Sequence, residues 1–93
     1  MTYEVRRTTR FKKDLAKCIR RGLDESKLNE AVCLLQNGSS LPERYCDHPL
    51  QPSSDYVDCR ELHIQPDWLL VYRYSNDSVI LYLIRTGTHS DLF

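Results

Sequence analysis

The chain has three histidines, all in its second half and each near a predicted turn or strand end: His48, His63 and His89. Two carboxylates accompany them. Asp67 follows His63 by four residues, across a predicted turn. Glu61 precedes His63 by two, a spacing that places both side chains on one face of a β-strand. The sequence therefore offers imidazole and carboxylate groups from a loop, a hairpin and the C-terminal segment.

Arg85, at the end of the last predicted strand, adds a guanidinium whose planar fork suits phosphate oxygens. Together these groups suit cleavage of RNA by internal transfer. That reaction needs a base for the ribose 2′-hydroxyl, an acid for the departing 5′-oxygen and positive charge beside the phosphate. Histidine has a reference pKa of about 6.5, so both of its protonation states are populated near neutral pH. Because the nucleophile is already in place, we predict no metal and no cofactor.

Taken singly, each of these residues is more typical of structure than of catalysis. A lone histidine or Arg85 is usually a surface residue, and Asp67 alone would be a turn-former. Trp68 and Phe93 alone would be packing residues. A zinc site formed by the three histidines and Asp67 is a further alternative, but its spacing matches no compact zinc motif.

Composition and length bound the class of protein. The chain has 93 residues, 41% of them hydrophobic and 28% charged, as in soluble globular proteins. We expect one domain over residues 1–93. No apolar run approaches the roughly 18 residues that cross a membrane, and the N-terminus lacks the apolar stretch of a secretory signal. These features predict a cytoplasmic protein.

Charge is unevenly distributed although the net charge is zero. Residues 1–27 contain nine Lys or Arg against four Asp or Glu, whereas residues 28–93 contain four against nine. The pattern predicts a basic face on the first third of the chain, with a solvated helix surface as the alternative. The basic residues of the first predicted helix are Lys12, Lys13, Lys17, Arg20 and Arg21.

The four cysteines form no Cys-x-x-Cys pair, which argues against a zinc ribbon or a thioredoxin motif. We predict four free thiols, as a reducing compartment favours. Cys18 and Cys33 fall on apolar helical stripes and are predicted to be small core residues.

Hydrophobic periodicity predicts six elements. They are a strand over residues 3–7, a helix capped by Thr8 or Thr9 and ended by Gly22, a second helix begun at Asp24 or Ser26 and ended by Asn37 and Gly38, and strands over residues 57–64, 68–74 and 79–84. Residues 39–55 are predicted to be a long loop, which is often functional. The order β-α-α-β-β-β predicts an α+β fold, with two helices on one face of a mainly antiparallel four-stranded sheet.

Three segments carry a resemblance to a known family: residues 47–50 (DHPL), 61–68 (ELHIQPDW) and 85–93 (RTGTHSDLF). At these separations the chain resembles YafQ-type toxins of the RelE/ParE superfamily, over its whole length. The resemblance implies a RelE-like, microbial-ribonuclease-like fold. It also implies ribosome-dependent cleavage of mRNA and neutralisation by a cognate antitoxin in a hetero-oligomer.

The resemblance also implies roles for particular residues. His48, His63, Asp67 and His89 are expected around the scissile phosphate, with Arg85 and Phe93 in support. His89 is the expected general acid and Asp67 or His63 the base-side group, although the two roles could be exchanged. Glu61 stands where the family pattern has an Asp. The expected substrate contacts are Glu61, Trp68, Phe93, Lys12, Lys13 and Lys17, with the basic helix face on ribosomal RNA.

An alternative function on the same scaffold is a non-enzymatic toxin of the ParE type, which binds and poisons DNA gyrase. Fold alone does not separate the two. Convergence of the three histidines does, because a gyrase binder has no need for it.

Overall fold

The computed structural model describes residues 2–53 and 56–93. Its elements, in chain order, are β1 (Glu4–Arg7), α1 (Thr9–Arg20), α2 (Glu25–Gln36), a single 3-10 turn (Glu43–Tyr45), β2 (His48–Pro49), β3 (Arg60–Gln65), β4 (Trp68–Tyr74), β5 (Ile80–Gly87) and α3 (His89–Leu92). The predicted α+β class and the order of the six predicted elements are confirmed.

Both N-terminal helices begin and end close to the predicted signals. The Thr8 hydroxyl accepts a hydrogen bond from the Phe11 amide and caps α1. Gly22 follows that helix with a φ of +88°, a conformation that costs glycine little. The Asp24 carboxylate accepts from the Ser26 amide and caps α2. Helix boundaries in this chain are therefore set by local capping chemistry.

The strands form one sheet in the order β1-β5-β4-β3-β2. β1 pairs with β5 in parallel, and the other three pairs are antiparallel. The sheet thus has five strands instead of the predicted four. The added strand, β2, lies inside the predicted loop of residues 39–55, of which residues 54 and 55 lie outside the described part. At two residues it is too short for a hydrophobic pattern to show.

Two strand ends differ from the prediction by three residues, and the C-terminal segment forms an element that was not predicted. β3 begins at Arg60 instead of residue 57, because Asp58 takes a left-handed backbone with a φ of +56°. β5 extends to Gly87, three residues beyond the predicted end. The segment after it forms the short helix α3, whose Thr88 and Asp91 make a reciprocal capping box.

The hydrophobic core lies between the two long helices and one face of the sheet. Its members include Phe11, Leu28, Leu62, Leu70 and Leu83, all essentially buried. Cys33 is exposed, so its predicted place in this core is wrong; α2 presents only part of its apolar residues to the sheet. Within the described residues, all four cysteines are free, as predicted, and no helix is long and apolar enough to cross a membrane.

The opposite face of the sheet, which we call the open face, has a smaller apolar cluster. Cys59, Leu69 and Val71 form it, together with Tyr56 and Leu92 from outside the central strands. Because side chains alternate along a strand, Glu61 and His63 share the open face with Cys59. The two helices cover one face of the sheet, as predicted, and the open face carries Glu61 and His63 beside its apolar cluster.

Candidate active site

The strand register aligns four residues in a row across the sheet. His48 pairs with Glu61, Glu61 pairs with Val71, and Val71 pairs with Arg85. Residues directly opposite each other in an antiparallel sheet share a face, so the row lies on the open face with Val71. The sequence does not show whether Glu61 and Arg85 lie on the same face of the sheet. The strand register shows that they do, because both pair with Val71.

A β-bulge in β5 brings Arg85 into this row. Counting by twos along the strand would group Arg85 with Leu81 and Leu83, which face the helices. The register instead shifts between Val71 and Tyr72, so that Tyr72 opposes Leu83 and Val71 opposes Arg85. One extra residue on β5 therefore turns Arg85 towards the other face.

The three histidines lie next to one another. The ring centroids of His48 and His63 are 6.2 Å apart, and those of His63 and His89 are 5.8 Å apart. His48 comes from β2, His63 from β3 and His89 from the first residue of α3. The predicted convergence of the three rings is present, with His63 in the middle.

Asp67 is paired with His89 and not with His63. Its carboxylate lies 2.9 Å from Nδ1 of His89 and also accepts the backbone amide of His89 at 3.2 Å. These hydrogen bonds lower the pKa of Asp67 below its ordinary value. Because the carboxylate accepts from Nδ1, a neutral His89 carries its proton there and leaves Nε2 free.

Glu61 lies between the other two rings. Its Oε1 is 3.6 Å from Nε2 of His48 and 3.5 Å from Nε2 of His63, and only 5% of its side chain is exposed. Nδ1 of His48 lies 2.8 Å from the carbonyl oxygen of Cys46, which can only accept. That contact fixes the proton of His48 on Nδ1 and its ring orientation. A buried carboxylate therefore serves both histidines.

A clamp on Asp47 holds the strand that carries His48. Its carboxylate accepts from the Tyr72 hydroxyl at 2.5 Å and from Nη2 of Arg60 at 2.8 Å. Burial, and then the bond to Asp47, raise the pKa of Tyr72 above its ordinary value. Both partners belong to central strands, so the two-residue strand β2 is tied to the middle of the sheet.

Arg85 is held by Asp14 of α1. The carboxylate of Asp14 lies 2.6 Å from Nε and 3.1 Å from Nη2, a side-on bidentate pair. Asp14 also accepts the amide of Thr86 at 3.3 Å. This carboxylate raises the pKa of Arg85 further above its ordinary value, so the side chain is charged at any working pH.

A second contact from α1 locks the turn that carries His89. Asp91 accepts from Nη1 of Arg21 at 2.7 Å, lies 3.4 Å from Nζ of Lys17 and accepts the amide of Thr88 at 3.0 Å. The Arg21 guanidinium, followed by the Thr88 amide, holds the pKa of Asp91 well below its usual range. Lys17, a predicted substrate contact, is therefore partly engaged with the protein itself.

A cavity of about 610 Å³ lies beside His48. It is lined by His48, Pro49, Leu50, Gln51, Ser53, Tyr56, Leu92 and Phe93. The Phe93 ring is 61% exposed and packs against Tyr56 at a centroid distance of 5.6 Å. His48, His63 and His89 follow one another in a line that we call the histidine row. The structure thus places the accessible ring of Phe93, a predicted substrate contact, at the His48 end of this row.

Trp68 differs from its predicted role as a substrate contact. It is 1% exposed, and its indole N–H donates to the Thr86 hydroxyl at 2.9 Å. The side chain belongs to the helix-facing core, so its ring has no accessible face on which a base could stack. The reason is strand parity: Trp68 begins β4 on the same face as Leu70 and Tyr72.

The other predicted basic contacts are exposed on α1. Lys12 and Lys13 precede Asp14 and are open to solvent, as is Lys17 one turn further on. The charges of Lys12 and Lys13 are available to a polyanion, whereas Lys17 lies 3.4 Å from Asp91 and Arg85 is paired with Asp14. The predicted basic face on α1 exists as a set of surface charges.

His48, Glu61 and His63, which we call the His–Glu–His cluster, could also hold a metal ion. Each offers one ligand atom, and these atoms lie within 4.8 Å of one another. Two imidazoles and a carboxylate are ligands that Zn²⁺ or Cu²⁺ accepts, and the Cys46 carbonyl orients the His48 ring by accepting a hydrogen bond from its other nitrogen. The zinc set considered from the sequence differed, because it included Asp67 and His89, which pair with each other.

Sequence reasoning missed the residues that hold the catalytic candidates in place: Asp14, Asp47, Arg60, Tyr72 and Asp91. Two of them carry a signal that could have been used. Asp14 is the one acid in α1, among basic residues. Thr88 and Asp91 have the spacing of a capping box, which predicts a helix start. The others depend on strand pairing, which the sequence does not show.

Comparisons with known proteins identify the family of this chain. Residues 3–93 match the model of a family described as bacterial toxin of type II toxin-antitoxin system, YafQ. An mRNA interferase toxin YafQ from Escherichia coli strain B is 37% identical over 91 residues, which cover 97% of this chain and 95% of the relative.

Solved structures of similar chains show the same fold. The crystal structure of the E. coli DinJ-YafQ toxin-antitoxin complex contains a chain with a TM-score of 0.88 and 35% identity, covering 100% of this chain and 99% of that one. A metal-bound toxin from Helicobacter pylori has a TM-score of 0.90 and 36% identity, with 100% of both chains covered.

Proposed function

The chain belongs to the YafQ family of toxins from bacterial type II toxin–antitoxin systems, and we propose that it is an endoribonuclease that cleaves mRNA at the histidine row. The observation that carries the proposal is the convergence of His48, His63 and His89 with two carboxylates. The rings follow one another at 6.2 and 5.8 Å. That spacing lets neighbouring rings reach opposite sides of a single phosphodiester group.

His63 and His89 form the proton-transfer pair in this proposal. Each has one ring nitrogen beside a carboxylate, Glu61 for His63 and Asp67 for His89. The geometry favours His63 over Asp67 as the base-side group, because the carboxylate of Asp67 is engaged by His89. His63 takes the proton from the ribose 2′-hydroxyl as the 2′-oxygen bonds to phosphorus. The bond from phosphorus to the 5′-oxygen breaks, and Nε2 of His89 in its doubly protonated form delivers a proton to that departing oxygen. This assigns His89 the general-acid role.

His48 plays a supporting role. Both of its ring nitrogens are engaged, Nδ1 by the Cys46 carbonyl and Nε2 by Glu61. It therefore orients Glu61 and adds positive charge when protonated, while the Arg85 guanidinium stabilises the charge that develops on the phosphate. No metal takes part in these steps, and an ion on the His–Glu–His cluster would engage His63, the base of the proposed transfer.

The partners follow from the same family. A relative in the family is seen bound to its antitoxin DinJ, and we propose a cognate antitoxin for this chain, in a hetero-oligomer. We further propose that cleavage requires the ribosome, with Lys12, Lys13 and Lys17 against ribosomal RNA and Phe93 against the message. Contacts of lysine with phosphate weaken steeply with salt, so raising the salt concentration should raise KM.

Primer extension on a translated message tests the proposed function. Induction of the wild-type chain should produce cuts inside the reading frame, and His89→Ala should remove them. Growth arrest without cuts, equal in both proteins, would contradict the nuclease and point to the gyrase-poisoning alternative. The site does not support that alternative, because binding to gyrase does not require three convergent histidines.

A further inference from the structure

One carboxylate of α1 reaches the row of residues that crosses the open face. Asp14 contacts Arg85 through two hydrogen bonds of 2.6 and 3.1 Å, and both side chains are largely buried, at 16% and 12% exposed. The Thr86 amide adds a third hydrogen bond and fixes the plane of the carboxylate. Exposed ion pairs contribute little, but a buried bidentate pair holds a specific geometry.

The pairing with Asp14 leaves the end of the guanidinium available to other groups. Arginine has five N–H donors, and Asp14 engages Nε and one N–H of Nη2. The other three donors, two on Nη1 and one on Nη2, form the fork that binds two phosphate oxygens. Asp14 therefore does not compete with a phosphate for the same edge of Arg85. The Tyr56 hydroxyl also lies near the guanidinium, where it contributes to raising the pKa of Arg85 after the larger effect of Asp14.

The location of Arg85 makes this orientation useful. It stands two strands from Glu61 in the cross-strand row, a separation of roughly 10 Å between backbones at about 4.8 Å per strand. An arginine side chain can span much of that distance, but it has several rotatable bonds and would lose entropy on being fixed. The contact with Asp14 fixes it before substrate arrives.

We propose that Asp14 is a positioning residue, which orients the free fork of Arg85 towards the phosphate that the histidines cleave. The proposal rests on the proposed function, because it assigns Arg85 a task in that reaction. It gives α1 a role in catalysis that is separate from its exposed lysines, and it explains why a single acid interrupts a basic helix.

The test compares four variants in a purified translation system with ribosomes and a defined message: Asp14→Asn, Arg85→Ala, the double variant, and Glu30→Gln as control. Glu30 forms an exposed pair with Arg44, so the control removes a helix carboxylate of the same charge away from the site. Arg85→Ala should lower kcat by about 10²–10³, as loss of one charge-stabilising donor does. Asp14→Asn should lower kcat by about tenfold with little change in KM. The double variant should equal Arg85→Ala alone, because Asp14 acts only through Arg85.

A spectroscopic readout separates positioning from general loss of structure. In ¹⁵N-labelled protein the Nε–H of Arg85 should be slow to exchange with solvent, and it should lose this protection in Asp14→Asn but not in Glu30→Gln. If Asp14→Asn fails to fold, Asp14→Ser keeps an acceptor for the Thr86 amide and replaces it in both measurements.

Either of two kinetic results would overturn the inference. One is Asp14→Asn with the kcat of the control while Arg85→Ala is impaired, and the other is losses that multiply in the double variant. A wild-type chain that cleaves no message would instead overturn the proposed function itself. Impaired Asp14→Asn protein with an unchanged Arg85 Nε–H signal would also contradict positioning.

Discussion

Removal of the Asp91 side chain should loosen the turn that carries His89. In Asp91→Ala, α3 loses its capping box with Thr88 and its ion pairs with Arg21 and Lys17. A cap of this kind contributes about 1 kcal/mol, and the ion pair adds up to about 1 kcal/mol because the Arg21 side chain is 42% exposed. The expected loss is therefore about 1–2 kcal/mol in the free energy of unfolding.

For a domain of this size, 1 kcal/mol corresponds to a change of about 4–8 °C in Tm. Thermal unfolding followed by circular dichroism at pH 7 should show Asp91→Ala about 5–15 °C below wild type. Asp77→Ala is the matched control, because its carboxylate contacts only neighbouring serines in an exposed turn. In the cleavage assay, misplacement of His89 should lower kcat by about 10–100-fold.

The stabilisation by Asp91 should depend on pH, and the direction follows from the pKa of its carboxyl group. The pKa of Asp91 is depressed in the folded chain, so its contribution is present above the unfolded value of about 3.9 and is lost as the pH falls through the folded value. The difference between wild type and Asp91→Ala should thus be largest above pH 5 and shrink towards pH 3. A difference that stays constant from pH 7 to pH 3, or a Tm equal to the control, would refute this account of α3.

Further variants test other contacts. Gly87→Ala places a Cβ 2.9 Å from a carboxylate oxygen of Asp91 at a φ of +155°, and it should cost about 1–3 kcal/mol in chemical denaturation together with most of the activity; wild-type stability would contradict the close approach. Asp67→Asn should lower kcat by about tenfold while Tm stays near wild type, because the pair with His89 is exposed; an unchanged kcat would remove Asp67 from the site. Tyr72→Phe removes the hydroxyl that clamps Asp47, next to β2, and should lower stability by about 1 kcal/mol in urea unfolding; an unchanged midpoint would argue against the clamp. Micromolar Zn²⁺ should inhibit cleavage, with recovery on adding EDTA, because the His–Glu–His cluster would hold the ion; stimulation would contradict a metal-independent reaction.

Local chemistry explains what the sequence predicted well. Thr8, Asp24 and Gly22 act on their own neighbours, so the bounds of α1 and α2 follow from capping rules. The same holds for β4, a nearly continuous apolar run that is buried along most of its length. Elements that obey short-range rules were predicted to within a residue or two.

Features that depend on which strands pair, and in which register, could not be predicted from the sequence. The bulge that turns Arg85 towards the open face is defined only by the partner strand β4. β2 exists because Asp47 is clamped by Arg60 and Tyr72, residues far from it along the chain. The sequence therefore predicted that the three histidines converge, but not which residues hold them in place.

Trp68 and Asp67 illustrate the limit for adjacent residues. They are neighbours in one motif, yet the tryptophan lies in the core and the carboxylate lies on the surface beside His89. Two neighbouring residues of one motif suggest a shared role. Side chains alternate between the two faces of a strand, however, so such neighbours can lie in different environments. Residue-level roles need the register as well as the resemblance.

The chemistry of the cut ends tests the central claim most directly. A message that carries a single 2′-deoxy nucleotide at a mapped cut site should resist the wild-type chain at that position and still be cut at others. The upstream fragments of the all-ribose message should end in a 2′,3′-cyclic phosphate or in the 3′-phosphate that follows from it. Efficient cutting at the 2′-deoxy position, or upstream ends with a 3′-hydroxyl, would contradict attack by the ribose hydroxyl and the acid–base roles of His63 and His89.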